Sequence, residues 1–308
     1  MKNIYLLILI CSLACNKSMN NNTQQPYVII LGIAQDAGYP QANCNKKCCA
    51  DVWENLTLTK YVSCLAIVDP ISKEQWIFDA TPDIKFQLRL LEKHSKINPI
   101  NGIFLTHAHI GHYTGLMQLG REVIGTQNLP VYAMEKMSSF LKNNAPWNQL
   151  IKIKNINLIT ISNDSLIKLN ERISILPFLV PHRDEYSETV GYKIITNKKT
   201  LIFIPDIDKW EDWNVDIIKL IKEVDYAFLD GTFYKNGELG RDMSEIPHPF
   251  VAESMELFSS LSKKDKQKIY FTHFNHTNPL LQKNSKAKKE VFKLGFNIAK
   301  QGEVINLQ

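Results

Sequence analysis

Hydrophobic positions along this chain fall into short blocks rather than long periodic stretches. Tyr27 to Ala34 is a continuous apolar, β-branched run and predicts a buried strand. Val62 to Val68 and Gln75 to Phe78 flank the turn residues Asp69-Pro70 and predict a hairpin. Thr81-Pro82 predicts a helix start, with Thr as the cap and Pro in the first helical position; Ile84, Leu88 and Leu91 keep helical spacing after it. Residues 35–51 read as a long polar loop. Strands are further predicted at 103–105, 130–132, 173–180, 190–195, 201–204, 226–229, 269–272 and 304–307. Helices are predicted at 113–119, 134–142, 215–221, 250–261 and 285–294. Short apolar strands alternating with amphipathic helices define an α/β chain.

The polar residues just past the strands matter more than the strands themselves. Ile103-Phe104-Leu105 empties into Thr106-His107-Ala108-His109-Ile110-Gly111-His112, with three of the chain's 8 histidines inside six positions. Other strands end at Pro181-His182, Pro205-Asp206, Asp230-Gly231 and His273. Ligands gather at strand ends in α/β proteins because the loops there converge. Neutral imidazole is the commonest metal ligand, and catalytic zinc takes three protein ligands with one position open. His107 and His109 can face one ion while His112 faces another. Asp206 is preferred to Asp208 as a ligand because it directly follows Ile204-Pro205. Asp230, in Asp-Gly-Thr, reads as a turn residue behind the ligands, and His276 as a supporting residue. His248, between two prolines, reads equally as a substrate contact or an exposed loop residue.

Length and charge add limits. The chain has 308 residues, 44% hydrophobic, ample for a large core. Net charge is +5, but the basic residues are scattered. The densest run, Lys263, Lys264, Lys266 and Lys268 beside Asp265, reads as a solvated turn, so no nucleic-acid partner is expected.

The N-terminus reads as a targeting segment. Lys2 precedes an apolar stretch, Ile4 to Ile10, too short to span a bilayer. Ser12-Leu13-Ala14-Cys15 follows and looks like a lipobox, with Cys15 as the lipidated residue. Residues 1–15 are therefore expected to be a signal peptide with a lipobox. Residues 16–26 read as a flexible polar tether, and 27–308 as the folded domain. The protein is expected to be exported and held on a membrane surface by its N-terminal lipid. Beyond Cys15, the cluster Cys44, Cys48 and Cys49 sits in a polar loop and suits either a structural zinc or disulfides. Cys64 reads as a buried strand residue.

These residues together resemble the metallo-β-lactamase fold superfamily: His-x-His-x-x-His, His182 before Val190-Gly191-Tyr192, then Asp206 and a late His273. More narrowly, the chain is similar to the pyrroloquinoline quinone (PQQ) biosynthesis protein B family. The segments carrying that likeness are Leu31-Gly32 through Asn45, Asp79 to Ile84, Thr106 to Leu116, Asp230-Gly231-Thr232-Phe233-Tyr234, and His273 to Pro279. The resemblance implies a four-layer αβ/βα sandwich. It also implies that Asp36 and Asn43, in the first loop, line the site. Two departures stand out. The superfamily's Asp between the second and third histidines is Gly111 here, and Lys46 occupies the middle of the family's Cys-x-Cys-x-x-Cys, so Cys48 is expected to take its place.

The expected chemistry follows. His107, His109 and His182, with Asp206 alongside, are expected to form a catalytic zinc site, and His112, Asp206 and His273 a weaker second one. Asp206 and His273 are the candidate catalytic residues. Zinc lowers the pKa of its bound water to about 7, giving hydroxide for attack on an ester, lactone, amide or phosphoester of a small-molecule substrate. Two alternatives stand beside this hydrolase. One is an iron-dependent redox or PQQ-type biosynthetic protein, since His/carboxylate sites also suit Fe(II); expected export argues against a cytosolic cofactor pathway. The other is a non-catalytic metal-dependent binding protein. The lipid anchor has a direct check: Cys15→Ser is expected to move the protein from the membrane to the soluble fraction, and unchanged partitioning would remove the lipoprotein reading.

Overall fold

The computed structural model describes residues 25–308; the expected signal peptide, the expected lipobox with Cys15, and nearly all of the expected tether lie outside the described residues. Two seven-stranded sheets organise the rest. The first contains β1 (Tyr27–Gly32), β2 (Cys64–Asp69), β3 (Glu74–Phe78), β4 (Gly102–Phe104), β5 (Leu129–Ala133), β6 (Ile156–Thr160) and β14 (Val304–Asn306), in the order β14-β1-β2-β3-β4-β5-β6. The second contains β7 (Ile167–Lys168), β8 (Ile173–Leu179), β9 (Val190–Thr196), β10 (Thr200–Ile204), β11 (Tyr226–Asp230), β12 (Ile269–Thr272) and β13 (Asn297–Ile298), in the order β13-β12-β11-β10-β9-β8-β7.

Alternation along the strands builds the layers. Val28 and Ile30 of β1, Leu65 and Ile67 of β2, and Trp76 and Phe78 of β3 join the same apolar cluster as Tyr192, Phe203 and Ile175 of the second sheet. The residues between them, Ile29, Ala66, Val68 and Ile77, pack the other way. There they meet Ile84 and Leu91 of α2 (Ile84–Ser95), Met137 and Leu141 of α4 (Glu135–Asn143), and Leu150 of α5 (Trp147–Lys152). Successive strand side chains point to opposite faces, so each buried strand feeds two cores. On the far side, α6 (Ile217–Glu223), α7 (Val251–Leu257) and α9 (Lys286–Lys293) bury Ile217, Ile221, Val251, Met255, Ala287 and Val291. The result is the helix–sheet–sheet–helix sandwich. Between the sheets, Phe78 lies 5.3 Å from Tyr192 and 6.2 Å from Phe203, centroid to centroid, and Phe104 lies 5.5 Å from Tyr192.

Strand direction sets the position of the site. β10, β11 and β12 run parallel, and β8 reaches the same direction through two antiparallel pairings with β9. Their C-terminal ends therefore share one edge. β4 brings its own end to that edge from the first sheet. Val190 N donates to Thr106 O at 3.2 Å, and the Tyr192 hydroxyl donates to Leu105 O, tying the sheets together there.

Several local expectations are revised. The helix after β3 begins at Ile84, not at Thr81-Pro82. The Thr81 hydroxyl instead donates to Gln87 Oε1 at 2.7 Å and accepts from Asp83 N at 3.1 Å, forming the turn that precedes the helix. The 35–51 loop contains α1 (Lys47–Glu54), whose buried residues Cys49 and Val52 are three apart on one face. The helical stretch expected at 113–119 is a short α3 (Ile110–Tyr113) followed by a 3₁₀ segment, Thr114–Leu119. β6 escaped detection because as an edge strand it buries only Ile156 fully. No helix among the described residues is long and apolar enough to cross a membrane.

The inter-sheet packing has a direct check. Phe203 is fully buried between the sheets, so Phe203→Ala is expected to destabilise the fold by about 3–5 kcal/mol in urea unfolding. A loss below about 1 kcal/mol would mean the sheets do not depend on that cluster.

Candidate metal centres at the sheet edge

Each candidate imidazole ligand at this edge is held by its outer ring nitrogen. Thr106 follows β4; its N–H and hydroxyl donate to Asp79 Oδ1 at 2.8 and 2.9 Å. With its own hydrogen committed, the Thr106 hydroxyl accepts from His107 Nδ1 at 3.0 Å. The lone pair of His107 therefore sits on Nε2, pointing inward. Asp79 Oδ2 also takes the Nδ1 hydrogen of His112 at 2.7 Å, turning its Nε2 inward. The second half repeats this device. The Thr232 hydroxyl donates to Asp230 Oδ1 at 2.7 Å and accepts from His273 Nδ1 at 2.8 Å. Asp208 Oδ1 holds His182 Nδ1 at 2.8 Å. Glu185 Oε2 holds His109 Nε2 at 3.1 Å, leaving Nδ1 inward. Orientation of ligating imidazoles by carboxylates and hydroxyls is the usual outer layer of a metal site.

The inward atoms converge on Asp206. Its Oδ2 lies 3.4 Å from His107 Nε2, 3.3 Å from His182 Nε2, 3.9 Å from His109 Nδ1 and 4.0 Å from His273 Nε2. Ligand atoms of His107, His109, His182 and Asp206 all lie within 4.8 Å of one another, as do those of Asp36, His112 and His273. His107 Nε2 and His109 Nδ1 are 2.9 Å apart, and the Nε2 atoms of His112 and His273 are 3.3 Å apart. Two lone pairs at such distances repel unless a cation lies between them. Asp36 Oδ1, His182 Nε2 and Asp206 Oδ1 are buried with no hydrogen-bond partner. Buried polar atoms are normally satisfied, so these orphans mark where a metal ion fits.

Electrostatics agree with that demand for positive charge. Burial raises the Asp206 carboxyl, but the surrounding imidazoles, His182 foremost, outweigh it and hold it well below the usual carboxylate range. Burial opposes a charged His112, yet Asp79 and Asp36 hold its pKa well above the ordinary imidazole value. His107 goes the other way, pushed well down by burial and by His112. Left-handed backbone at Asp79 (φ 72°) and His273 (φ 62°), both directly after strands, shows the chain bending to place these groups.

The edge also holds residues that the sequence did not assign as ligands or supports. His248 is buried, with Nδ1 at 2.9 Å from Asp230 Oδ2 and 3.2 Å from Asp206 Oδ1; it is not an exposed loop residue. Asp230, read from the sequence as a turn residue behind the ligands, accepts from Ile207 N, Thr232 N and His248, and its ligand atom lies within 4.8 Å of those of Asp206 and His248. Asp79, Asp208 and Glu185 form the outer layer described above. Segment 183–187 folds over the mouth: Ala108 N donates to Ser187 Oγ at 2.8 Å, and Glu185 caps His109.

A second centre lies away from this edge. Ligand atoms of Cys44, Cys48, Cys49 and His276 all fall within 4.8 Å of one another. The four described cysteines are free thiols, and Cys44 and Cys48 Sγ are 3.8 Å apart, well beyond a disulfide's roughly 2.05 Å. Three thiols and one imidazole make a closed structural-zinc set. His276, expected only as a supporting residue, is the fourth member. Burial pushes Cys49 up to about 12 and also raises Cys48, so a bound cation is what would strip their protons. Of the indoles, Trp53 stands at the cysteine centre, its Nε1 donating to Cys44 O at 2.8 Å, whereas Trp210 and Trp213 line a separate surface groove and Trp147 packs against Tyr113 and Phe140.

A parallel-ended double sheet with this His/Asp edge is the architecture of the β-lactamase superfamily, and the chain belongs to it: the model of the beta-lactamase superfamily domain matches residues 75–274. The chain is similar to coenzyme PQQ synthesis protein B. The Rhizobium meliloti protein is 25% identical over 314 residues, covering 93% of this chain and 100% of that one. Zinc-bound PqqB from Methylobacterium extorquens shares the fold at TM-score 0.76 with 22% identity, covering 91% of this chain and 100% of that one. A diphosphatase of the PhnP family does so at TM-score 0.62 with 21% identity, covering 91% and 96%.

The cysteine centre can be tested alone. Cys49→Ser is expected to lower zinc content by one ion per chain in elemental analysis, with His276→Ala weakening retention against a chelator. Unchanged zinc in both variants would empty this centre of its assigned role.

Proposed function

We propose that this chain is a metal-dependent hydrolase, with zinc as the resident ion, acting on an ester, lactone, amide or phosphoester. The observation that carries the reading is the convergence of oriented lone pairs on Asp206, with His182 Nε2 and Asp206 Oδ1 buried and unpartnered. His107, His109, His182 and Asp206 would hold the ion. Bound zinc supplies Lewis acidity and an acidified water. The chain's own residues do the rest. Thr106, Asp208 and Glu185 keep the three imidazoles in the tautomers that leave a lone pair inward. His248 Nδ1 hydrogen-bonds to Asp230 Oδ2 and lies 3.2 Å from Asp206 Oδ1; the two carboxylates together outweigh burial and hold its pKa well above the ordinary value. Arg183, Glu185, Tyr186 and Ser187 of segment 183–187 close over His109 and leave no open cavity there, so this segment would have to shift to admit a scissile group.

A second reading is a role in cofactor biosynthesis of the PQQ type with iron in the same donors. What supports it is the likeness to PQQ synthesis protein B along nearly the whole length of both chains. The nature of the metal separates the two. The cysteine set is proposed to hold a structural zinc in either case. The N-terminal segment supports placement on a membrane surface.

Elemental analysis of wild type and His109→Ala tests the reading. The variant is expected to lose metal above the cysteine-bound zinc, and to lose at least about tenfold in hydrolysis of ester, lactone or phosphodiester substrates. Metal content unchanged by His109→Ala would sink the hydrolase. Iron with oxygen consumption, in place of zinc with hydrolysis, would select the biosynthetic reading.

A further inference from the structure

The superfamily's acidic residue between the second and third histidines is absent, since that position is Gly111. The structure shows what fills the space. A Cβ built on Gly111 would lie 2.2 Å from Asp36 Oδ1 and 2.4 Å from Asp36 Cα, contacts that real side chains do not make. Both the backbone and the carboxylate of Asp36 stand in that space, so any side chain at 111 would push Asp36 away. Asp36 Oδ1 is buried without a hydrogen bond, 3.3 Å from His112 Nε2, whose other neighbour is His273 Nε2 at 3.3 Å. The backbone around Asp36 is pinned to the same segment that carries His273: Gln35 N donates to Phe274 O at 2.9 Å, and Phe274 N to Ile33 O at 2.7 Å. Ala34 also bridges both Val62 and Phe274.

From this exchange we propose that Asp36, reaching in from the loop after β1, is the anionic ligand of a second divalent metal ion held with His112 and His273, beside the ion at His107, His109 and His182. Gly111 is then the clearance that the relocated carboxylate requires. The donors, two imidazoles and a carboxylate with Asp206 near His273, suit zinc, manganese or ferrous iron. The inference rests on the metal-site reading above but adds a separate claim, that of a second ion fixed by Asp36.

The test is equilibrium binding of zinc and of manganese to the full chain, read by elemental analysis and chelator competition. Wild type, Asp36→Asn, Asp36→Ala, Gly111→Ala and His109→Ala are compared, with circular dichroism to confirm folding. Wild type is expected to bind one ion more than Asp36→Ala. Asp36→Asn keeps the shape but loses the charge, and is expected to weaken the second ion at least tenfold while retaining the first. Gly111→Ala, which alters no donor, is expected to weaken it similarly by displacing Asp36. Wild-type stoichiometry and affinity in both Asp36 variants would overturn the assignment, as would a wild type that saturates at one ion above the cysteine zinc. Neither result touches the first site, whose failure is read independently from His109→Ala.

Discussion

A single buried carboxylate sets the terms for this structure. Asp206 is 2% exposed and takes its place at the end of β10, with five imidazoles within 4.0 Å of its oxygens. An isolated carboxylate in such a place is costly, and one surrounded only by neutral lone pairs gains little. The cluster is consistent only with positive charge at its centre, whether protons on the imidazoles or a metal ion. Everything around it serves that requirement. The parallel ends of β10, β11 and β12 bring Asp206, Asp230 and His273 to one level, and β4 adds His107 from the opposite sheet.

The two sheets solve the orientation problem in the same way. After β3 and β4, a carboxylate, Asp79, takes the hydrogen of a threonine hydroxyl, which then accepts from His107. After β11 and β12, Asp230 takes the hydrogen of Thr232, which then accepts from His273. A threonine hydroxyl has one hydrogen; once it is committed, the imidazole has no choice of tautomer. The relay converts a flexible, two-faced ligand into a one-faced one without adding charge next to the ion. Asp79 goes further, because its second oxygen orients His112 as well. One carboxylate behind β3 thus governs one imidazole from each of the two candidate ion sites.

This division explains which parts of the site were legible in the sequence. His107, His109 and His112 stand together on one loop, and His182, Asp206 and His273 each follow an apolar strand, so local pattern sufficed to propose them. The sheet core was legible for the same reason, since runs such as Tyr27 to Ala34 and Ile269 to Thr272 declare themselves. The supporting layer was not. Asp79 lies 27 residues from Thr106 and 33 from His112, and nothing local marks the pairing. His248 sits between prolines and looks exposed until the fold buries it beside Asp230. His276 joins cysteines more than two hundred positions away in a contact that only the closed chain creates. β6 and α1 were missed on weaker grounds, a shallow edge strand and a helix masked by cysteines and lysines.

Gly111 shows how a loss in one segment can be read wrongly when it is read alone. Judged along the chain, the missing acid removes one negative charge from the second site and leaves Asp206 as the one carboxylate expected among its ligands. Judged in space, the charge has changed segments. Two adjoining divalent ions need anionic ligands to offset their mutual repulsion, and neutral imidazoles cannot supply them. Asp206 alone would provide one negative charge for two ions. Asp36 brings the count to two, from a loop that is tied by backbone hydrogen bonds to Phe274 and so moves with His273 rather than independently of it. A side chain on an unanchored loop would lose part of that contribution to the entropy of its own ordering. The clamp at Ile33, Gln35 and Phe274 removes that cost before any ion arrives. Glycine at 111 is therefore best understood as half of a two-residue exchange, with the acid moved from a helix start to a loop pinned across the sheet edge.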